Sequence, residues 1–366
     1  MAEIIFNNNL TYGAGASILA PTITSLFDQD LVSKEYVTGL PEKLGFVKTR
    51  ALTPDQTFSL IIGAYELDLI TEDQDIPTAS FGKGKEKGFA IEQYGKKIGI
   101  SKLFRKWLET AKTLDGADSS VMKEYQRMTK DIVSLRRGAQ KTKNRRSTEV
   151  YANGWLATAA NGAGSPTMYG QALFSTAHPY GQGAGAGTFS NVLGGSNPWT
   201  ADGVLNATNL QAAIDIHKSK LRLQNGDRVE IPTKYTLVVS NALATTARKV
   251  LNTTGNQVGT FAADGSNSSA LNQFSFDGNR IEIVENPFFG FTTESGTVIG
   301  SETMWFLVNT EALEMAEALR EITLYDVEAT SYVNDSNNQM FVSVDMGMAF
   351  DHYGAESFIV GSKGTE

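Results

Sequence analysis

The sequence predicts an α+β protein made of an extended arm, a long hairpin, one long helix and a smaller α/β portion. Three observations carry that expectation. Apolar residues alternate at period two in parts of two distant stretches, 89–101 and 342–350; a charged segment with a helical stripe begins at Ser119; and residues 202–325 switch repeatedly between strand and helix patterns. At 366 residues the chain is long enough for one large or two medium domains and buries a core without staples.

Residues 1–55 read as an arm, with "PTITSLFDQDLVSKEYVTGLP" a short helix at most. Its apolar residues Ile18, Leu19, Ile23, Leu26 and Phe27 have no obvious partner element, so they are candidates for burial on another subunit. Next come two strand-like stretches, roughly 64–72 and 89–101, around a tip "FGKGKEKG" that is too polar and glycine-rich to pack into its own core. Such a hairpin reaches outward. Phe81, Lys83, Lys85, Lys87 and Phe89 are its candidate inter-subunit residues.

Val121, Tyr125, Met128, Ile132 and Leu135 recur at three- and four-residue spacing, which predicts a helix from about Ser119 to Trp155, about 50 Å long, with Ser119 or Ser120 as N-cap and Gly138 as its weak point. A glycine-rich connector follows. From Ala201 the pattern alternates: "TNLQAAIDIHKSKLRLQNG" as a helix capped by Thr208 and Gly226, "KYTLVVS" as a buried strand, "NALATTARKVLNT" as a helix capped by Ser240 or Asn241, then strands at "NRIEIVENPFF" and "TMWFLVN". "TEALEMAEALREI" reads as a helix with Glu314 and Glu317 on its wet face. In the last strand Val342, Val344, Met346, Met348 and Phe350 point one way, and Ser343, Asp345 and Gly347 the other.

Composition narrows the chemistry. The absence of cysteine excludes thiol catalysis, zinc-thiolate sites, iron-sulfur clusters and disulfides. The first residues have no basic n-region, and no run approaches the roughly 20 apolar residues of a membrane span, so a soluble intracellular protein with no membrane partner is expected. The net charge of -8 is unevenly spread: more than half of the Lys and Arg lie between Lys83 and Arg146, whereas Arg320 and Lys363 are the only bases after Glu302. Opposite patches of this kind suit contact between copies, and solvated faces suit them equally.

No catalytic or cofactor motif survives inspection. Gly181, Gly183, Gly185 and Gly187 follow a His-Pro-Tyr turn and do not open a helix, so they are no dinucleotide fingerprint; "GKGKEKG" lacks the Gly-Lys-Ser/Thr of a phosphate loop. His178, His217 and His352 are not at metal-ligand spacing. No cofactor is expected. The basic residues from Lys123 to Arg146 suit weak, non-specific contact with nucleic acid, although the chain as a whole is acidic.

The order of pieces resembles the major capsid protein of tailed bacteriophages, the HK97-fold family. The local match is "ALFSTAHPYGQG" followed by "SNVLGG", similar to the Leu-Phe-x-x-x-His-Pro and Ser-Asn segment of phage Mu-like head subunits; "GDRVEIPTKYTLVVSNALATTARKVL" is a second similar stretch. The resemblance implies an N-arm at 1–55, an E-loop hairpin at 56–105, a peripheral domain with the spine helix at 106–201, an axial domain at 202–325 and return strands at 326–366. It implies no enzyme but a virion shell of homo-hexamers and homo-pentamers around double-stranded DNA, with portal, scaffolding and decoration proteins as partners. His178 and Pro179 then set a turn, the imidazole bonding to local backbone. Some relatives crosslink an E-loop Lys to a neighbour's Asn; that Asn and the assisting Glu are not matched here, so no such crosslink is expected, and neither is removal of a propeptide. The alternatives are an encapsulin-like nanocompartment shell and, from another class, a soluble α/β enzyme using His178.

Overall fold

The computed structural model describes residues 39–61, 83–103, 119–158, 164–180, 186–193, 203–229, 234–252, 280–334 and 339–364. The arm residues Ile18, Leu19, Ile23, Leu26 and Phe27, the expected strand at 64–72, Phe81, and Gly181, Gly183 and Gly185 lie outside them. The chain is α+β and divides into two compact units, one of residues 1–38, 91–143 and 323–348, the other of residues 39–90, 144–322 and 349–366.

In the first unit, β4 (Glu92–Ile100) pairs antiparallel with β13 (Gln339–His352), Ile100 opposite Met340 and Glu92 opposite Met348; β12 (Leu319–Asn334) lines the other side of β13. Val342, Val344, Met346 and Met348 are all buried while Ser343 and Asp345 are partly open, the two-faced pattern that the alternation demands. The long helix α2 runs Ser119–Ala152, and it is not broken at Gly138, whose carbonyl accepts a bond from Thr142 Oγ1 at 2.9 Å. Of its expected apolar stripe, Leu135 is buried; the side chains of Val121, Tyr125, Met128 and Ile132 lie outside the described residues.

The second unit is built on a four-stranded sheet of order β14 (Ile359–Ser362), β11 (Trp305–Val308), β7 (Lys234–Ser240), β8 (Arg280–Asn286). β7 and β8 run parallel, as strands joined by a crossover do, with helix α4 (Asn241–Asn252) in the connection; β11 is antiparallel to both of its neighbours. Every residue of "YTLVVS" and "WFLV" is buried, as expected for strands covered on both faces. Ser240 Oγ accepts from the Leu243 amide at the start of α4.

Two helix ends differ from expectation. Helix α3 (Ala207–Ser219) is capped by Asn206, whose side chain accepts from the Asn209 amide at 2.7 Å, so the cap lies two residues before Thr208; the helix ends at Lys220, and Gly226 instead serves a turn at φ +94°. Helix α5 covers only Thr310–Met315, because Glu317 takes a left-handed φ of +47° and turns the chain into β12, leaving Glu314 and Glu317 exposed. Helix α1 (Leu40–Lys43) and strand β1 (Phe46–Arg50) open the described chain.

Candidate functional site

The hairpin differs most from its sequence reading. Its paired strands are β2 (Asp55–Ile61) and β3 (Lys83–Ala90), Asp55 opposite Ala90 and Phe58 opposite Lys87. From Lys83 onward, the segment expected as a solvent-facing tip is therefore itself a strand. In β3 the side chains of Lys87 and Phe89 point inward, at 8% and 1% exposure, while Lys85, Glu86 and Gly88 are exposed; the side chain of Lys83 lies outside the described residues. The misreading has a physical cause: lysine is almost never fully buried unless paired, so a Lys/Gly run reads as surface.

Lys87 is buried because it is paired. Its Nζ donates to Asp351 Oδ1 at 2.9 Å, to Ser165 Oγ at 2.8 Å and to the His352 carbonyl at 3.0 Å, which uses all three ammonium hydrogens. Asp351 Oδ1 also accepts from Ser165 Oγ at 2.6 Å and from the His352 amide at 2.8 Å. The imidazole of His352 donates through Nε2 to the Ser165 carbonyl at 3.0 Å. The rings of Phe58, Phe89 and Tyr353 flank this cluster, with Phe58 and Phe89 edge to face at 5.1 Å and Arg320 4.1 Å above Phe58.

Burial dominates the electrostatics. It lowers the pKa of Lys87 against the opposing pull of Asp351, and it raises that of Glu356, a fully enclosed carboxyl beside the cluster. His352 is pushed down to about 3, by burial first and by the Lys87 charge second, and His217 to about 4 by burial alone, its Nε2 donating to the Leu307 carbonyl at 3.0 Å. All three histidines are neutral near pH 7, which suits fixed donors better than proton shuttles.

The segment with the most specific sequence pattern is equally structural. Leu173, Phe174, His178 and Asn191 are all buried. His178 opens a small hairpin, β5 (His178–Tyr180) with β6 (Gly187–Phe189), and its Nε2 donates to Asn191 Oδ1 at 3.1 Å; burial lowers its pKa to about 4 against that bond. Asn191 Nδ2 donates in turn to the carbonyls of Leu173 and Glu356. The imidazole thus has a side-chain partner, Asn191, beside the local backbone of Leu173 that was expected to hold it. Phe174 stacks on Phe306 at 5.1 Å, in a slot that exists because Gly154 and Gly361 have no Cβ: one built at either would stand 2.7 Å from the ring. The motif is a wiring device that ties a loop to the sheet.

Among the described residues no group of three or more His, Asp or Glu is placed to hold a metal ion, and no helix is long and apolar enough to cross a membrane. His178 itself is enclosed, and its Nε2 is held by Asn191 Oδ1.

No curated protein sequence matches the chain. Similar solved structures include the cyanophage Pam1 capsid (14% identity, 99% of this chain and 98% of that one, TM-score 0.46), the capsid of an empty GTA particle (11%, 90% and 90%, 0.45) and a virus-like particle from Pyrococcus furiosus (11%, 94% and 99%, 0.42). The family signature described as "Phage capsid protein" matches residues 84–355, from the second residue of β3 to the turn after β13. That span is well over half of the sequence, and the chain belongs to the phage capsid protein family: a structural component of the virion and not an enzyme.

Proposed function

We propose that this chain is the major head subunit of a tailed bacteriophage, with the HK97-like architecture, assembling through hexamers and pentamers into an icosahedral shell around double-stranded DNA. The family signature over residues 84–355 carries the reading. The "ALFSTAHPY" and "SN" segment supports the narrower assignment to Mu-like head subunits, because four of its six pattern residues, Leu173, Phe174, His178 and Asn191, are buried in the core. In this reading residues 1–55 are the N-arm, 56–105 the E-loop, 106–201 the peripheral domain, 202–325 the axial domain and 326–366 the return strands.

Contacts between copies fall to the arm residues Ile18, Leu19, Ile23, Leu26 and Phe27 and to Phe81, Lys83 and Lys85 of the hairpin. Lys87 and Phe89 are enclosed by their own unit and serve its interior. Portal, scaffolding and decoration proteins are the expected further partners, and DNA a non-specific one. Negative-stain electron microscopy of the full chain, alone and with a scaffolding protein, tests the proposal: closed shells or rings of five and six are expected. A persistent small monomer or dimer at high concentration overturns it, and protein cargo in place of DNA inside native particles redirects it to a nanocompartment.

A further inference from the structure

The Lys87 cluster holds more than an ion pair needs. An amine and a carboxyl group meet at 2.9 Å in a site where Lys87, Asp351, Ser165, His352 and Glu356 are all buried. Two further donors, Ser165 Oγ and the His352 amide, converge on the same oxygen, Asp351 Oδ1. Fixed donors on one carboxyl oxygen, with an amine held against that carboxyl, are the arrangement that stabilises a tetrahedral intermediate of acyl transfer. A second carboxyl, Glu356, lies within electrostatic reach of Lys87, and its Oε2 makes no hydrogen bond within the described residues.

We propose that Lys87 and Asp351 of one chain condense to an intrachain amide, with Glu356 as the proton carrier. The step balances without any co-reactant. A proton passes from Nζ to the Asp351 carboxyl, giving a neutral amine and a neutral acid. The Nζ lone pair attacks Cγ and forms the new C–N bond, with the charge gathering on Oδ1 under the Ser165 and His352 donors. The Cγ–Oδ2 bond then breaks, and Oδ2 leaves as water with the proton it gained and a second one relayed from Nζ through Glu356. Amine plus acid become amide plus one water, and nothing is oxidised or reduced.

Two physical terms favour this outcome. Converting a buried ion pair to an amide removes both desolvated charges, whose burial opposes folding. Groups held in contact by the fold react with effective molarities of about 10⁵ M or more, which offsets the uphill condensation in water. The product would strap β3 to the end of β13 across a sequence separation of 264 residues. It gives a reason for a lysine at an inward strand position that an apolar residue would fill more cheaply. The inference concerns one chain and stands whether or not the shell reading holds.

The test is intact-mass measurement and peptide mapping of the full chain, both as free subunit and after assembly. The expected result is a mass one water below that of the sequence, a branched peptide joining Lys87 to Asp351, and a single-chain band on a denaturing gel. K87R should keep the full mass. E356Q, which leaves the reacting pair intact, should form the bond about a hundred-fold more slowly. Linear peptides carrying unmodified Lys87 and Asp351 in the folded wild-type chain overturn the proposal, as does a ladder of joined chains or a water loss mapped elsewhere. An unchanged rate in E356Q overturns the role of Glu356. If K87R fails to fold, the wild-type peptide map decides alone.

Discussion

Around Phe306 the rings of Tyr151, Phe174 and Phe289 meet at centroid distances of 5.3, 5.1 and 5.5 Å, and the one cation nearby among the described residues, Lys363, lies over the outlying Trp155 ring. Around Lys87, in the same unit, an ammonium, a carboxylate, a hydroxyl and an imidazole are held by hydrogen bonds behind a few aromatic rings. Both places are buried, yet they tolerate error differently. The aromatic hub loses stability in proportion to the atoms removed, because dispersion and apolar burial are summed over many small contacts. The charged cluster is all or none: each partner is affordable only while the others are present. A subunit with both has one region that degrades gradually and one that fails when a single group changes.

Acid should separate them most strongly. His178, His217 and His352 have folded pKa values of about 4, 4 and 3 against an ordinary 6.5, so as pH falls below 6.5 the unfolded chain takes up protons that the native chain refuses, and stability is lost. At pH 5 each costs about 2 kcal/mol, or about 6 kcal/mol together. Glu356 acts in the opposite sense, since its raised pKa keeps a proton that the unfolded carboxyl gives up above about 4.5, and it offsets part of the loss. Urea unfolding of the free subunit at pH 7 and pH 5 checks the sign; equal midpoints would refute the neutral, buried imidazoles.

Next in size is Phe306→Ala. The ring is fully enclosed, and its removal should cost about 4 kcal/mol, read as a lowered denaturant midpoint with unchanged slope. Lys87→Met should cost about 3 kcal/mol in the non-covalent state, because it leaves Asp351 charged and buried without its cation. The sharper comparison is the double variant Lys87→Met, Asp351→Leu. It should recover most of that loss, whereas no second substitution beside Phe306 restores its ring contacts. Failure of the double variant to recover would show that packing, and not uncompensated charge, sets the cost.

The same contrast explains what could be read from the sequence. The aromatic and aliphatic framework was legible because it follows strand and helix periods: "KYTLVVS" is β7 to the residue, and the alternation from Val342 to Phe350 gives the buried face of β13. The charged cluster was not legible. Its members Lys87, Ser165 and Asp351 are far apart in the chain, each is of a type that belongs on a surface, and only tertiary pairing makes them interior. The one available signal was indirect: "KEKGFA" places Lys87 two residues before Phe89, on the same face of any strand. The charge of "FGKGKEKG" points to a tip, and the Lys87–Phe89 alternation points to a strand with one buried face. His178 shows an intermediate case, where the sequence pattern was recognised but the partner, Asn191, became evident only from the fold.

The smallest expected effect tests how cooperative the cluster is. Ser165→Ala removes one hydroxyl and leaves the backbone carbonyl that accepts from His352 in place. Lys87 then keeps two of its three acceptors, and Asp351 Oδ1 two of its three donors. An isolated hydrogen bond is worth about 1 kcal/mol, and one to a charged group about 1.5–3 kcal/mol. Because this hydroxyl serves both ions at once in the non-covalent state, the loss there should fall near ~2 kcal/mol and should vanish in the Lys87→Met, Asp351→Leu background, where neither ion remains for it to serve. A loss that persists there would mean that Ser165 acts through packing against its neighbours. A loss near zero in both backgrounds would mean that the ion pair holds itself, and the convergence of donors on Oδ1 would then have no energetic consequence for the fold.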